Sequence, residues 1–225
     1  MPNVYTFKDF EGSSHRILMR LIRRYAKRGG TLLDLGAAGG ELGEAVGEHF
    51  SRTIGFEYQV DCLADLKTRF DKVVIADLET LKHLPDTPDA IVLADVIEHL
   101  RDSGNLLRLA RTALARDGYL FVSVPNIANI TVRIGLLFGV FEYRDRGILD
   151  NTHLRFFTKR TIKRELENAG FEIVAMRGSS VPIRLIVGRF VPELLLRVAE
   201  KILAIITRLW LGLFAYQFVI VARRA

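Results

Sequence analysis

The stretch Thr31-Leu32-Leu33-Asp34-Leu35-Gly36-Ala37-Ala38-Gly39-Gly40-Glu41-Leu42-Gly43 decides the fold. An apolar run (Leu32, Leu33, Leu35) carries one acid, Asp34, and then breaks into small residues. A periodic segment from Leu42 to Val46 follows. This pattern predicts a buried strand, a tight turn and the start of a helix. Small residues at such a turn let the backbone approach a ligand closely, and a helix start offers N–H groups beside it.

Two cofactor classes use a turn of this kind. Dinucleotide sites set a pyrophosphate over the helix start and want G-x-G-x-x-G. Here Ala38 follows Gly36 in that register and Glu41 stands where the third glycine belongs. S-adenosylmethionine (SAM) brings no phosphate, and an acid at the strand end, Asp34, can face its cationic methionine part. The turn alone also suits any strand-to-helix connection of an α/β protein.

At 225 residues and 49% apolar, the chain can bury the core of one domain with elaborations. Its single cysteine, Cys62, excludes an internal disulfide and a Cys-rich zinc site, and suits a reducing cytoplasm. Met1 to Phe10 shows no basic start followed by an apolar run, so no signal peptide is expected. The net charge of +6 is uneven. One basic cluster falls at Arg16, Arg20, Arg23, Arg24, Lys27 and Arg28, and reads as a solvated helix face. A second lies after residue 178, where basic patches suit nucleic acid or an anionic membrane surface.

Residues 13–28 show helical spacing, with Ser13 or Ser14 as N-cap and Gly29-Gly30 as the stop. Strands are expected at Thr53–Phe56, Lys72–Ala76, Ala90–Ala94, Gly118–Val124, Phe171–Met176 and Phe214–Ala222. Helices are expected at Asn105–Leu114 and Thr158–Ala169. Alternation at this spacing predicts a doubly wound, mostly parallel sheet whose right-handed crossovers bring strand C-terminal ends to one edge. Asp34, Glu57, Asp77, Asp95 and Val124-Pro125-Asn126 then converge there. Glu57, 23 residues after Asp34, is placed to accept ribose hydroxyls from either nucleoside cofactor. Asp77 can accept from an adenine amine while Leu78 packs on the ring.

Asp34-Leu35-Gly36-Ala37-Ala38-Gly39-Gly40 resembles the D-x-G-x-G-x-G motif of class I SAM-dependent methyltransferases, with Ala38 for the middle glycine. Glu57, Asp77-Leu78, Asp95-Val96-Ile97-Glu98-His99 and the 116–126 segment follow in that family's order. The resemblance runs from about residue 15 to the C-terminus. Glu98-His99 and the Leu149–Thr158 segment look like the branch of quinone-biosynthesis and sugar or natural-product O-methyltransferases. The resemblance implies a seven-stranded Rossmann-like sheet whose antiparallel last strand inserts between the fifth and sixth. It also implies cofactor roles for Asp34, Gly36, Ala37, Gly40, Glu57, Asp77, Leu78 and Asp95. The fourth strand lacks the Asn-Pro-Pro-aromatic signature of amino-group methyltransferases acting on adenine or glutamine.

Within a single domain spanning 1–225, two segments depart from the alternation. Residues 125–157 read as a lid or substrate insert over the ligand edge, where Arg133, Tyr143, Arg144 and Arg146 either hold an anionic or glycosyl group or form a solvated rim. Residues 178–213 hold an amphipathic helix with a narrow, mainly basic polar face (Glu193, Arg197, Lys201, Arg208) and a wide apolar one. No uncharged run there approaches the ~20 residues needed to span a bilayer. The segment either lies in a membrane interface or packs on its own domain or a partner subunit.

Methyl transfer to a hydroxyl needs alignment and removal of a proton. His99 is the first candidate base, oriented by Glu98 or Asp150, and His153 is the second. Structural readings compete: His99 on a helix cap, His153 pinning the lid. Asp95, Glu98, His99 and His153 could also be read as metal ligands, but no tight ligand spacing calls for a metal. The expected activity is SAM-dependent O-methylation of a small or lipid-linked hydroxyl compound, in the cytoplasm or at the inner face of a membrane. An NAD-dependent oxidoreductase and a non-catalytic membrane-peripheral protein are the alternatives. A homodimer is allowed, and nucleic acid is disfavoured because no stacking-aromatic module accompanies the positive charge.

Overall fold

The computed structural model describes residues 10, 12–85, 87–183 and 191–225. Residues 1–9 and Arg184 and Arg189 of the 178–213 segment lie outside them.

Seven strands form one sheet: β1 (Thr31–Leu35), β2 (Arg52–Glu57), β3 (Lys72–Ile75), β4 (Ala90–Ala94), β5 (Tyr119–Pro125), β6 (Phe171–Gly178) and β7 (Gln217–Arg224). Their order is β3-β2-β1-β4-β5-β7-β6, with β7 antiparallel to both neighbours. The expected topology is therefore observed. The direction of winding reverses between β1 and β4, which opens a crevice at the C-terminal ends of those strands.

The described α-helices are α1 (Ser14–Tyr25), α2 (Glu41–Gly47), α3 (Leu63–Arg69), α4 (Ser103–Ala113), α5 (Ile130–Leu137), α6 (Lys159–Asn168), α7 (Glu193–Leu209) and α8 (Leu211–Phe214), and Val60–Cys62 and Ile97–His99 form short 3₁₀ turns. Alternation along β1 sends Leu33 and Leu35 into the larger core with α4 and α6, and Leu32 into the other with α1 and α2. Asp34 shares the second face, since it lies two residues from Leu32.

Local chemistry sets the ends. The Ser13 hydroxyl accepts from Arg16 N–H (3.2 Å), which settles the N-cap of α1. That helix stops at Tyr25, short of the expected residue 28, because Ala26 is extended and its carbonyl bonds the His49 ring (2.9 Å). Thr158 and Thr161 cap α6 reciprocally. The largest departure is at the last strand. Leu211–Phe214 is helical rather than extended, and β7 starts at Gln217. The Phe214 and Ala215 carbonyls are taken by side chains of Asn129 and Asn126, so they are withdrawn from the ladder. The short helix α3, which carries no long periodic signature, was not expected.

Candidate active site

The turn after β1 is held from below. Gly36 and Ala37 both donate to the Phe56 carbonyl (2.9 Å each), Ala38 donates to Glu57 Oε2 (2.8 Å), and Gly40 donates to the Ala37 carbonyl (2.7 Å). Gly36 has φ +82°, and a Cβ there would lie 2.7 Å from Val96, so both backbone and space require glycine. Ala38 adopts φ +48°, which explains why the resembling motif has glycine at that position.

Two carboxylates underlie this turn. Asp34 is buried, and no hydrogen bond to its side chain is found among the described residues. Burial first, and the neighbouring Glu57 second, push its carboxyl up to about 7. Glu57 is tied down: Oε1 accepts from Tyr58 N–H (2.8 Å) and Gln59 N–H (2.9 Å), and Oε2 from Ala38. A carboxylate has about four acceptor positions, so one is left for a ribose hydroxyl and accepting both requires release of an N–H.

This arrangement distinguishes the two cofactor classes. Four of the turn's N–H groups are spent inside the protein, where a pyrophosphate would need them. Paired acids beside the turn repel phosphate and attract the cationic methionine part of SAM. The residues present fit SAM.

The next strand ends differ in what they offer. Asp77 is exposed and accepts from Glu79 N–H (2.9 Å), a turn that keeps it at the edge. Leu78 is mostly buried in the main core, so it offers a ring only its edge. Asp95 sits at φ +57°, and its carboxylate accepts from the Ser123 hydroxyl (2.6 Å) and the Gln217 amide (2.7 Å). It thus joins β4, β5 and β7 at the site edge. Neither Ser123 nor Gln217 was singled out from the sequence.

Glu98, His99 and His153 come together although α4, β5 and most of the insert separate the last from the others in the chain. The two imidazoles lie 4.9 Å apart between centroids, edge to face. His99 Nδ1 lies 3.2 Å from the Thr152 carbonyl and 3.1 Å from its hydroxyl, and that hydroxyl donates to Asp150 Oδ1 (2.6 Å). Both contacts then require Nδ1 to carry the proton, which puts the lone pair on Nε2. Asp150 thus acts on His99 through Thr152, a residue the sequence reading missed. His153 Nδ1 donates to the Ile148 carbonyl (3.1 Å), and burial, then His99, lower its pKa, so it stays neutral. Ligating atoms of Glu98, His99 and His153 all lie within 4.8 Å of one another. The sequence named these three among possible ligands without a tight spacing to join them, and folding brings them together.

The insert is anchored at both ends. Asn126 and Asn129 donate to the Ala215 carbonyl (2.9 Å each), and Leu154 and Arg155 N–H donate to the Glu98 carbonyl (2.9 Å each). Phe141, Tyr143 and Phe156 extend the aromatic row beyond His153 at 5.6–6.4 Å spacings. Arg133 donates to the Ala128 carbonyl (2.7 Å), whereas Arg144 and Arg146 line a small cavity of about 190 Å³ with Glu142 and Tyr216. A larger cavity of about 740 Å³ opens at the opposite sheet edge, around Arg111, Arg116 and Arg224, away from these groups.

Comparison with known proteins agrees with this geometry. A family model described as a methyltransferase domain matches residues 10–176. The mitochondrial ubiquinone biosynthesis O-methyltransferase of Bos taurus is 28% identical over 163 residues, covering 65% of this chain and 42% of that protein. The chain thus spans about two fifths of that relative's length. A SAM-dependent methyltransferase from Archaeoglobus fulgidus superposes with a TM-score of 0.61 at 24% identity, covering 93% of this chain and 94% of the other. Burkholderia thailandensis 1,6-didemethyltoxoflavin-N1-methyltransferase, solved with its substrate and S-adenosylhomocysteine, gives 0.62 at 18% identity over 96% and 80% of the two chains. The oxidoreductase and non-catalytic readings fall away. With the strand order, the phosphate-averse turn and the matched family model in agreement, the chain belongs to the class I SAM-dependent methyltransferases.

Proposed function

We propose that this enzyme methylates a hydroxyl oxygen of a small or lipid-linked acceptor, with His99 as general base. The observation that carries the reading is the Asp150–Thr152–His99 chain, which fixes the proton on Nδ1 and turns Nε2 into an acceptor. A neutral amine attacks a methyl sulfonium without prior loss of a proton, whereas a hydroxyl gains from a base. A built base therefore favours oxygen over nitrogen.

Bound SAM supplies an electrophilic methyl group. The chain's own residues divide the remaining work. Asp34 stands against the methionine part, Gly36, Ala37 and Gly40 let the backbone approach, and Glu57 takes a ribose hydroxyl. Asp77 and Leu78 meet the adenine, and Asp95 fixes the strand edge between cofactor and acceptor. The insert of residues 125–157 serves as the acceptor's lid. Its aromatic row offers a flat apolar wall that leads to His153 and His99.

The test is His99→Gln with hydroxylated lipids, quinols and sugars as acceptors. Turnover should fall by roughly 10²–10⁴-fold, with affinity for S-adenosylhomocysteine by calorimetry unchanged. Undiminished turnover removes His99 as the base.

The Glu98–His99–His153 cluster supports a second reading, in which these three groups hold a divalent cation that activates the acceptor hydroxyl. Dialysis against a chelator separates the two: activity lost to chelation and restored by a metal selects the cation, and chelator-resistant turnover selects the free base.

A further inference from the structure

We infer that α7 is an interfacial helix that lays its outer face in an anionic membrane surface and thereby turns the active-site edge toward lipid. This rests on the proposed acceptor class, a lipid-linked hydroxyl compound, and deepens it.

The helix is built inside out. Its buried residues are Leu196 and Thr207, eleven apart and so on one face. The Thr207 side chain closes on the C-terminal end of β6, where a Cβ on Gly178 would lie 2.9 Å from it. The opposite face should be polar in a soluble helix. Instead it exposes Leu194, Leu195, Val198, Ile202, Ile205 and Leu209, each between 47% and 72% accessible. At 3.6 residues per turn these six fall within a stripe about 100° wide. Trp210, 62% accessible, follows at its end. Among the described residues, the stripe therefore packs on no part of its own domain.

Charge selects the occupant. Arg197, Lys201 and Arg208 line one border of the stripe, within about 40° of one another by the same geometry. Glu200 falls on the far side, and Glu193 is engaged with Arg197 (2.9 Å). An apolar stripe bordered by cations, on a chain of net charge +6, matches the boundary between acyl chains and anionic headgroups. A second copy is a poorer match. An antiparallel two-fold pair sets both cationic borders on the same side, like charge against like. No helix among the described residues is long and apolar enough to cross a membrane, so α7 lies along the surface.

Placement gives this contact a use. β6 runs parallel to β5, since both are antiparallel to β7, so Gly178 lies at the edge that holds the site. α8 continues from α7 and its Gly212 and Phe214 carbonyls accept from Asn126 and Asn129 at the root of the insert. Leu137 and Phe138 at the end of α5 are also exposed on the insert. An acceptor anchored in lipid then reaches the site without leaving the surface.

The test is flotation of the full chain with vesicles of phosphatidylcholine alone or mixed with phosphatidylglycerol, with no acceptor present. Binding to the mixed vesicles, weakened by salt, is expected. The Leu194→Glu/Ile205→Glu variant should lose at least about tenfold in partitioning while its affinity for S-adenosylhomocysteine stays unchanged, which shows the fold intact. Lys201→Gln/Arg208→Gln should remove the preference for phosphatidylglycerol. Equal binding by wild type and the glutamate variant, or no binding to either vesicle, overturns the proposal. So does a wild-type dimer in light scattering that becomes monomeric in that variant, since the stripe is then a subunit interface. Vesicle binding without turnover of any lipid-linked hydroxyl would sink the acceptor reading and leave the surface assignment standing.

Discussion

Asp34→Asn should make the protein more stable, and increasingly so as pH rises. In the folded chain the Asp34 carboxyl titrates near 7, against 3.8 as the ordinary value, because it is buried and faces Glu57. At acid pH both the folded and unfolded chains hold the proton and nothing is lost. As pH climbs from 3.8 the unfolded chain ionises while the folded one keeps its proton, so stability falls until pH passes about 7. The full interval is worth about 4 kcal/mol at 1.36 kcal/mol per unit. Asn has the same shape and no charge, so it escapes this cost. Its advantage should grow from about 1.5 kcal/mol near pH 5 to about 4 kcal/mol near pH 8.5. Urea unfolding of the ligand-free chain at the two pH values measures it. Affinity for SAM should fall in the same variant, since the acid proposed to face the cationic methionine part is gone. A stability difference that does not change with pH, or an Asn variant weaker at both, refutes the assignment of a buried, uncompensated acid. Glu57→Gln removes the second cause of the shift and should flatten the wild-type pH dependence without abolishing it.

Other substitutions test the neighbouring contacts. Glu57→Ala strips three backbone N–H groups of their acceptor; the two near the surface find water, and the loss in urea unfolding should be about 2–3 kcal/mol. Calorimetry of the same variant should show S-adenosylhomocysteine binding weakened, and unchanged affinity would remove Glu57 from the cofactor site. Thr152→Val should lower kcat with KM for SAM unchanged and shift the pH–rate profile. Its loss should be smaller than the roughly 10²–10⁴-fold of His99→Gln, and an unaltered profile would exclude Thr152 as the group that orients the base. Ala38→Gly relieves a left-handed alanine at φ +48° against added freedom in the unfolded chain; thermal unfolding should show a gain of up to about 1 kcal/mol.

The sheet could be read because each buried parallel strand is an apolar run closed by glycine, proline or an acid, and such runs leave little choice of face. Leu32–Leu35 and Ile91–Leu93 needed no tertiary information. Residues 211–216 did: an apolar sequence that suits a strand equally suits a helical turn, and the carbonyls bound by Asn126 and Asn129 decide it. In the candidate site, Asp34, Glu57, Asp77 and Asp95 were visible because they lie at strand ends, and strand ends converge by topology. Thr152 was not visible. Its role depends on a loop bringing it to His99, 53 residues away in the chain, and no local pattern announces that. The same folding step creates the His99–His153 contact and the three-residue ligand cluster.

Gln217 and its neighbour Tyr216 link the two added segments to the C-terminal end of β4. A glutamine at the start of an otherwise apolar central strand is unfavourable unless its amide is bonded. Here Nε2 donates to Asp95, while its backbone N–H and carbonyl bond the Ser179 hydroxyl and N–H (3.0 Å each). Ser179 follows β6 and precedes the segment leading to α7; α8 precedes Gln217; and the Tyr216 carbonyl accepts from Asn126 N–H at the root of the insert (3.0 Å). Asp95 is itself held in a left-handed conformation that no regular strand end requires. The Gln217 side chain, its backbone and the neighbouring Tyr216 carbonyl therefore tie the end of β4, the insert and the α7–α8 excursion together. A displacement of α7 against a surface would be felt at Asp95 through two hydrogen bonds, whereas a helix hung on a flexible tether would leave it untouched.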